Sequence, residues 1–219
     1  MDRITITGSR WAPPFAQGLV RDLRVRWALE EVGAPYEVRL IDLEDRHSKA
    51  NRRAHPFGLV PAFEADGRGM FESGAILLHL AEDSAVLMPP GRHERNDAIT
   101  WMFAALNTVE PPIQELLALD LLHADEPWAK LRRPGAVEAV KFRLAALSDW
   151  LQGRDYLVGR FTAADILMTT VLRIFRHTDL VADFPVLDAY LRRCEARPAF
   201  RKALVDQMAG YALNAPVAA

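Results

Sequence analysis

The chain has 219 residues, half of them hydrophobic, which is enough for a real core and room for one large or two small domains. A net charge of −2, with Arg and Lys scattered among Asp and Glu, provides no basic stripe and argues against a polynucleotide or an anionic membrane as partner. The one cysteine, Cys194, leaves no internal disulfide and no CxxC redox or zinc motif, so a reducing compartment is expected. The first residues, Met1 to Thr7, alternate in strand fashion without an apolar h-region, and no apolar run approaches the roughly 20 residues that cross a bilayer. A soluble, cytoplasmic protein is expected.

Arg3–Thr7 alternates at period two, as do Tyr36, Val38 and Leu40, and both read as half-buried strands. Between them Leu19–Val32 carries apolar residues at helical spacing, with Gly33 as C-cap and Pro35 beyond, which predicts a β-α-β unit with a parallel strand pair. Asp45–Ala54 is polar and reads as a short irregular helix. Val60–Glu64 and Met70–Glu72 flank an Asp66-Gly67 turn and read as a hairpin, followed by a helix over Ser73–Glu82. The order β-α-β-(α)-β-β-α within about eighty residues is a thioredoxin-like topology. Met88-Pro-Pro-Gly-Arg92 reads as a linker, and beyond it every pattern is helical. A long helix over Glu94–Leu119 is expected to kink or end near Pro111-Pro112, and one over Glu126–Leu151 to break at Pro134-Gly135. Thr162–His177, Val186–Ala196 and Pro198–Met208 follow as shorter helices. The expected organisation is an α/β domain over 1–83, a linker over 84–92, an all-α domain over 93–208 and a fraying tail over 209–219.

Two short motifs carry chemistry. Pro61 removes a ladder donor at the mouth of a strand, a position open to a cis bond, and leaves the Val60 peptide groups facing a cleft. Glu72-Ser73 stands where a strand turns into a helix, with Ser73 as the expected N-cap; a helix N-terminus with a hydroxyl is a carboxylate site. Taken singly, each is equally an ordinary strand start and an ordinary cap.

Together, in this order and spacing, Val60-Pro61 and Glu72-Ser73 resemble the thioredoxin-like half of glutathione S-transferases. The resemblance implies that the Val60 backbone pairs with the cysteinyl part of glutathione and that Glu72-Ser73 holds its γ-glutamyl end. Phe161-Thr-Ala-Ala-Asp-Ile166, a capping box with a hydrophobic staple, resembles the helical domain of the same family, and Tyr190-Leu-Arg-Arg-Cys-Glu-Ala-Arg-Pro-Ala-Phe200 resembles its C-terminal signature. The likeness covers roughly residues 2 to 206, and it implies glutathione in a cleft between the domains, a small electrophile as second substrate, and a homodimer.

In that family a donor in the loop after the first strand stabilises the thiolate of glutathione. Here the loop Gly8–Gly18 holds neither Tyr nor Cys; Ser9 is its one hydroxyl, and Arg10 is a second candidate through its charge. The bland alternative for Ser9 is a turn serine that shapes the loop. Lys49, with Arg52 and Arg53, is the candidate contact to the glycyl carboxylate, against the alternative of an exposed basic helix face. Leu59 stands where many members place Gln or Lys. Trp11, Phe15, Phe103 and Asn107, with Trp101 and Met102, are candidates for the wall of an electrophile pocket. His79 and His123 lack a second ligand at metal spacing, so no metal is assigned, and Cys194 reads as buried rather than nucleophilic. The leading function is a glutathione transferase. Glutathione-dependent peroxidase or dehalogenase chemistry at the same site, and a non-catalytic binding module of the same fold, stay open; a thiol-disulfide reductase is disfavoured by the loop without cysteine.

Overall fold

The computed structural model describes residues 3–216, and its contacts divide the chain into two compact units: the chain up to Leu87 with the segment from Arg197 onward, and Met88–Ala196. In the first unit Ile4–Ser9 (β1), Tyr36–Ile41 (β2), Ala62–Ala65 (β3) and Arg68–Phe71 (β4) form a four-stranded sheet in the order β2-β1-β3-β4. Asp22–Val32 (α1) makes the crossover, and β1 and β2 run parallel with Ile4 opposite Tyr36. β3 is antiparallel to both β1 and β4, and the hairpin turn falls on Asp66-Gly67, whose φ values of 54° and 72° suit the two central positions of a tight hairpin. Ser48 caps Lys49–Ala54 (α2) by accepting the Asn51 N–H at 3.2 Å, and Ser73–Ala81 (α3) follows β4. This is the thioredoxin-like arrangement expected from the periodicities.

Helix α1 starts at Asp22 instead of Leu19, because the preceding residues close into turns: the Ala16 N–H donates to the Pro13 carbonyl at 2.8 Å and the Leu19 N–H to that of Ala16 at 3.0 Å. Its other end is the expected one, Gly33 at φ 66°. Leu23, Trp27, Ala28 and Leu29 are buried, and so are three ionisable residues, Asp22, Arg24 and Arg26. Arg26 Nε donates to Asp22 Oδ2 at 2.7 Å, a paired state that burial requires.

The expected domain limit at residue 208 is not where the units divide. Pro198–Leu213 (α9, the last helix) packs on α1: Trp27 meets Phe200 edge to face at 4.8 Å, Arg197 grips Glu31 with two bonds of 2.6 and 2.7 Å, and Gln207 Nε2 donates to Asp22 Oδ1 at 2.8 Å. Early residues of α9 thus meet the end of α1 and later ones its start, so the two helices run antiparallel. The helix also continues through Gly210 to Leu213, inside the segment expected to fray, because Tyr211 is buried. Residues 217–219 of that expected tail lie outside the described residues.

The second unit is helical, as expected: Arg92–Phe103 (α4), Glu110–Leu117 (α5), Pro127–Leu151 (α6), Ala163–Leu172 (α7) and Pro185–Glu195 (α8). Between α4 and α5 the chain widens into a π-helical stretch over Ala104–Val109, so Pro111-Pro112 enter at the start of α5, where their missing donors cost least. By contrast α6 runs unbroken through Pro134-Gly135, which the sequence predicts as a break. Both residues are exposed, so Pro134 sits on the solvent side of the helix, where a missing backbone hydrogen bond costs least. Among the described residues no helix is long and apolar enough to cross a membrane.

Asp165 organises this unit. Its carboxylate accepts the Thr162 N–H at 2.9 Å, closing the predicted capping box, together with the Leu157 N–H and the Tyr190 hydroxyl, both at 3.0 Å. One side chain thereby joins the loop before α7, the helix start and α8. Burial pushes the carboxyl up to about 6, against the pull of these hydrogen bonds. Cys194 is fully buried nearby, and burial raises its thiol to about 12, so it is no nucleophile.

Asp165→Asn keeps the shape but turns an amide N–H₂ toward one set of donors, and is expected to cost about 2–4 kcal/mol of unfolding free energy by urea titration. The native carboxyl binds its proton more tightly than the unfolded one, whose pKa is about 3.9. Its contribution is therefore fully present below about pH 4 and lost as pH rises through about 6. The difference between wild type and variant should shrink over that window; a difference that is flat or grows contradicts the assignment.

Candidate functional site

The Val60-Pro61 peptide bond is cis, and Val60, Pro61 and Ala62 are buried. Pro61 cannot donate, and the next N–H, that of Ala62, is taken at 2.7 Å by Thr7 Oγ1 from β1. Ladder pairing between β1 and β3 begins only at Phe63, so among the described residues the Val60 backbone makes no strand pair and no turn hydrogen bond. An extended chain laid beside Val60 would find a free donor and acceptor there, which is how a peptide edge binds a peptide.

Upstream, Gly58 adopts φ 68°, and a Cβ at that position would lie 2.6 Å from His47 Nδ1 and 2.7 Å from the Arg46 carbonyl. That carbonyl is fixed in turn by Asn51 Nδ2 at 3.0 Å. His55 is buried against Phe71, ring centroids 5.0 Å apart, and burial lowers its pKa against the opposing pull of the Glu72 carboxylate. The ring is therefore neutral near pH 7 and serves as packing.

At the start of α3 the structure shifts the expected roles by one residue. Glu72, at φ 70° and ψ 113°, is the N-cap: its carbonyl accepts the first helical bond, from Ile76 N–H at 2.9 Å, and Ser73 is already helical. A non-glycine residue held in that conformation costs on the order of 1–3 kcal/mol, a strain typical of ligand clamps. Ser73, 4% exposed, does not cap; its Oγ accepts from Arg24 Nη1 at 3.2 Å. The first-turn N–H groups of α3 are left over, and the exposed Glu72 carboxylate stands beside them. An anion and a cation, as at the α-carbon of an amino acid, find complementary partners at such a place.

Ser9 is the last residue of β1, not a residue of the following loop. It is buried, and its Oγ accepts from Arg46 Nη2 at 2.8 Å. Arg10 opens the loop: its Nε donates to Asp42 Oδ1 at 2.8 Å and its Nη1 reaches Asn214 Oδ1 at 3.4 Å, so its charge is already committed to a carboxylate. Trp11 is half-buried and Phe15 is 43% exposed in the same loop. Lys49 and Arg52 are exposed on α2, while Arg53 turns to a separate cavity of about 270 Å³ against Thr5, Thr7 and Phe63. Leu59 is exposed. In the second unit Phe103 ends α4 with 57% exposure and Asn107 is exposed in the π-helical stretch. Trp101 turns elsewhere, packing on Trp150 at 5.2 Å beside a cavity of about 610 Å³.

Two residues that the sequence reading passes over, Arg24 and Arg46, hold the two serine hydroxyls. Arg24 left a signal: it sits on the apolar stripe of α1, beside Leu23, Trp27 and Ala28, where a charged residue demands a partner. Arg46 left none, being one polar residue in the polar run Glu44–His47.

The N-terminal domain model of glutathione S-transferases matches residues 23–91, and the C-terminal domain model matches residues 126–198. Human glutathione S-transferase A3 is 30% identical over 191 residues, which is 82% of this chain and 81% of that protein. Elongation factor 1-gamma of Artemia salina is 33% identical over 144 residues, 61% of this chain but only 31% of that longer protein. Among solved structures, a glutathione transferase from Burkholderia graminis with two glutathione molecules bound per subunit superposes with a TM-score of 0.81 at 28% identity, covering 93% of this chain and 88% of that one.

Gly58→Ala is expected to destabilise the protein by roughly 2–4 kcal/mol, since both the positive φ and the Arg46 carbonyl resist a Cβ. Gly67→Ala shares the positive φ, has nothing within 4 Å, and should cost about 1 kcal/mol. Chemical denaturation of the pair checks the reading; equal losses would mean that the contact behind Gly58 carries no weight.

Proposed function

Because the chain belongs to the glutathione S-transferase family, we propose that it binds glutathione in its first unit and activates the thiol for attack on a small electrophile. The observation that carries this reading is the unladdered Val60 backbone before cis-Pro61 in the same unit as a buried Ser73 hydroxyl at the start of α3. In this reading Val60 pairs with the cysteinyl backbone. The Ser73 hydroxyl and the first N–H groups of α3 hold the γ-glutamyl carboxylate, and Glu72 holds the ammonium. Lys49 meets the glycyl carboxylate.

Ser9 supplies the donor to sulfur. Since Arg46 can only donate, the Ser9 oxygen is the acceptor of that bond and its own proton is left for a thiolate. Stabilising the anion lowers the pKa of the bound thiol and raises the fraction of nucleophile. Arg10 is paired with Asp42, so its charge is spent on that carboxylate and the sulfur is left to Ser9. Within the first unit, Trp11 and the exposed Phe15 offer apolar surface to the electrophile. Peroxide reduction or dehalogenation would use the same thiolate. A second reading, a glutathione-binding module without turnover, is favoured by the loop without Tyr or Cys.

Retention on immobilised glutathione followed by a panel of electrophiles, hydroperoxides and haloalkanes separates these readings. Ser73→Ala removes a charge-assisted hydrogen bond worth about 1.5–3 kcal/mol, and the affinity for glutathione by calorimetry should fall roughly ten- to a hundredfold with the fold intact. Ser9→Ala should leave that affinity unchanged, raise the pKa of the bound thiol in a spectrophotometric titration, and lower kcat. Wild-type affinity in a folded Ser73→Ala protein would refute the site.

The family likeness also supports a homodimer in solution. Light scattering across micromolar concentrations should return twice the chain mass, and a monomer throughout would refute it.

A further inference from the structure

Arg24 lies on the buried side of α1, 3% exposed, and donates from Nη1 to Ser73 Oγ at 3.2 Å. A guanidinium has donors and no acceptor, whereas a hydroxyl has one proton and two lone pairs. The direction of this bond is therefore fixed: Ser73 Oγ accepts, and its proton must point to some other group. Had the partner been a carboxylate or a carbonyl, the hydroxyl would have donated to it and turned lone pairs toward any ligand. The neighbouring N–H groups of the first turn of α3 are donors as well. Arg24 thus makes the start of α3 a site of donors, suited to an anion and unsuited to a neutral donor group.

We propose that Arg24 is a positioning residue which, by donating to Ser73 Oγ, orients that hydroxyl as a donor and so confers selectivity for the γ-glutamyl carboxylate. This rests on the glutathione reading above, and it adds a residue that touches no ligand. Removing the guanidinium frees the hydroxyl to rotate, and the carboxylate loses a pre-oriented donor while the rest of glutathione keeps its contacts.

The test compares glutathione with 4-aminobutanoyl-cysteinylglycine, which is glutathione without its γ-glutamyl α-carboxylate, by calorimetry on the full chain. Wild type should prefer glutathione by roughly ten- to a hundredfold. Arg24→Met should lower the affinity for glutathione about tenfold and leave that for the analogue within about twofold. Adding Ser73→Ala to it should weaken glutathione binding no further than Ser73→Ala alone. Arg24→Lys, which offers only donors, should keep the preference; Arg24→Gln, whose amide can also accept, should reduce it, and this pair decides the matter where Arg24→Met does not fold.

Equal loss for both ligands in Arg24→Met, or equal preferences in the Lys and Gln variants, would reduce Arg24 to scaffold and overturn the proposal while the glutathione reading stands. A wild-type protein that cannot tell the two ligands apart would overturn both.

Discussion

Helix α1 must bury three ionisable side chains, and the first unit is arranged around that demand. A lone buried charge costs several kcal/mol, so each must be paired or hydrogen-bonded. Asp22 and Arg26 pair with each other, and Gln207 brings α9 to the same carboxylate. Glu31, at the other end of α1, takes the fork of Arg197 together with the Trp27 indole N–H at 2.9 Å. Arg24 turns to Ser73 and joins α1 to the helix that begins the candidate site. The polar residues of α1 do more than its apolar ones to decide which elements it touches, because apolar contacts are interchangeable in kind and these bonds are not.

The two serines share a pattern. Ser9 ends a strand and Ser73 starts a helix, each is nearly inaccessible, and each accepts from an arginine: Arg46 for the first, Arg24 for the second. An arginine behind a hydroxyl settles the one feature of serine that burial leaves open, the direction of its proton. The fixed donors proposed for thiolate and carboxylate are thus polarised from behind, in the manner of pre-organised electrostatic sites. Thr7 shows the complementary case, accepting the Ala62 N–H and so pinning the strand that follows cis-Pro61.

Much of this was legible in the residues, for local reasons. The β-α-β unit, the Asp66-Gly67 turn, Gly33 at the end of α1 and the capping box at Thr162 are set within a few residues of chain, where period and cap chemistry speak directly. So was the position of cis-Pro61. What escaped was set by partners distant in sequence. The role of Ser73 changed from cap to acceptor because of Arg24, 49 positions away, and Ser9 met Arg46 across 37. Pro134 did not break α6 because its face is solvent, a fact of tertiary placement that no window of sequence contains. The residues from Pro198 onward read as a helix, but nothing local says which surface covers them, and α9 packs on α1.

That packing bears on how the protein is made. The ion pair of Arg197 with Glu31 closes a loop of 166 residues, and Gln207 reaches Asp22 across 185. The second unit is one continuous stretch and can complete its own packing as soon as it has left the ribosome. The first cannot: its strands and α1 emerge early and must wait for almost the whole chain before α9 arrives to cover Trp27 and satisfy Glu31 and Asp22. During that interval the face of α1 that α9 will cover stays open, the circumstance in which neighbouring copies exchange segments.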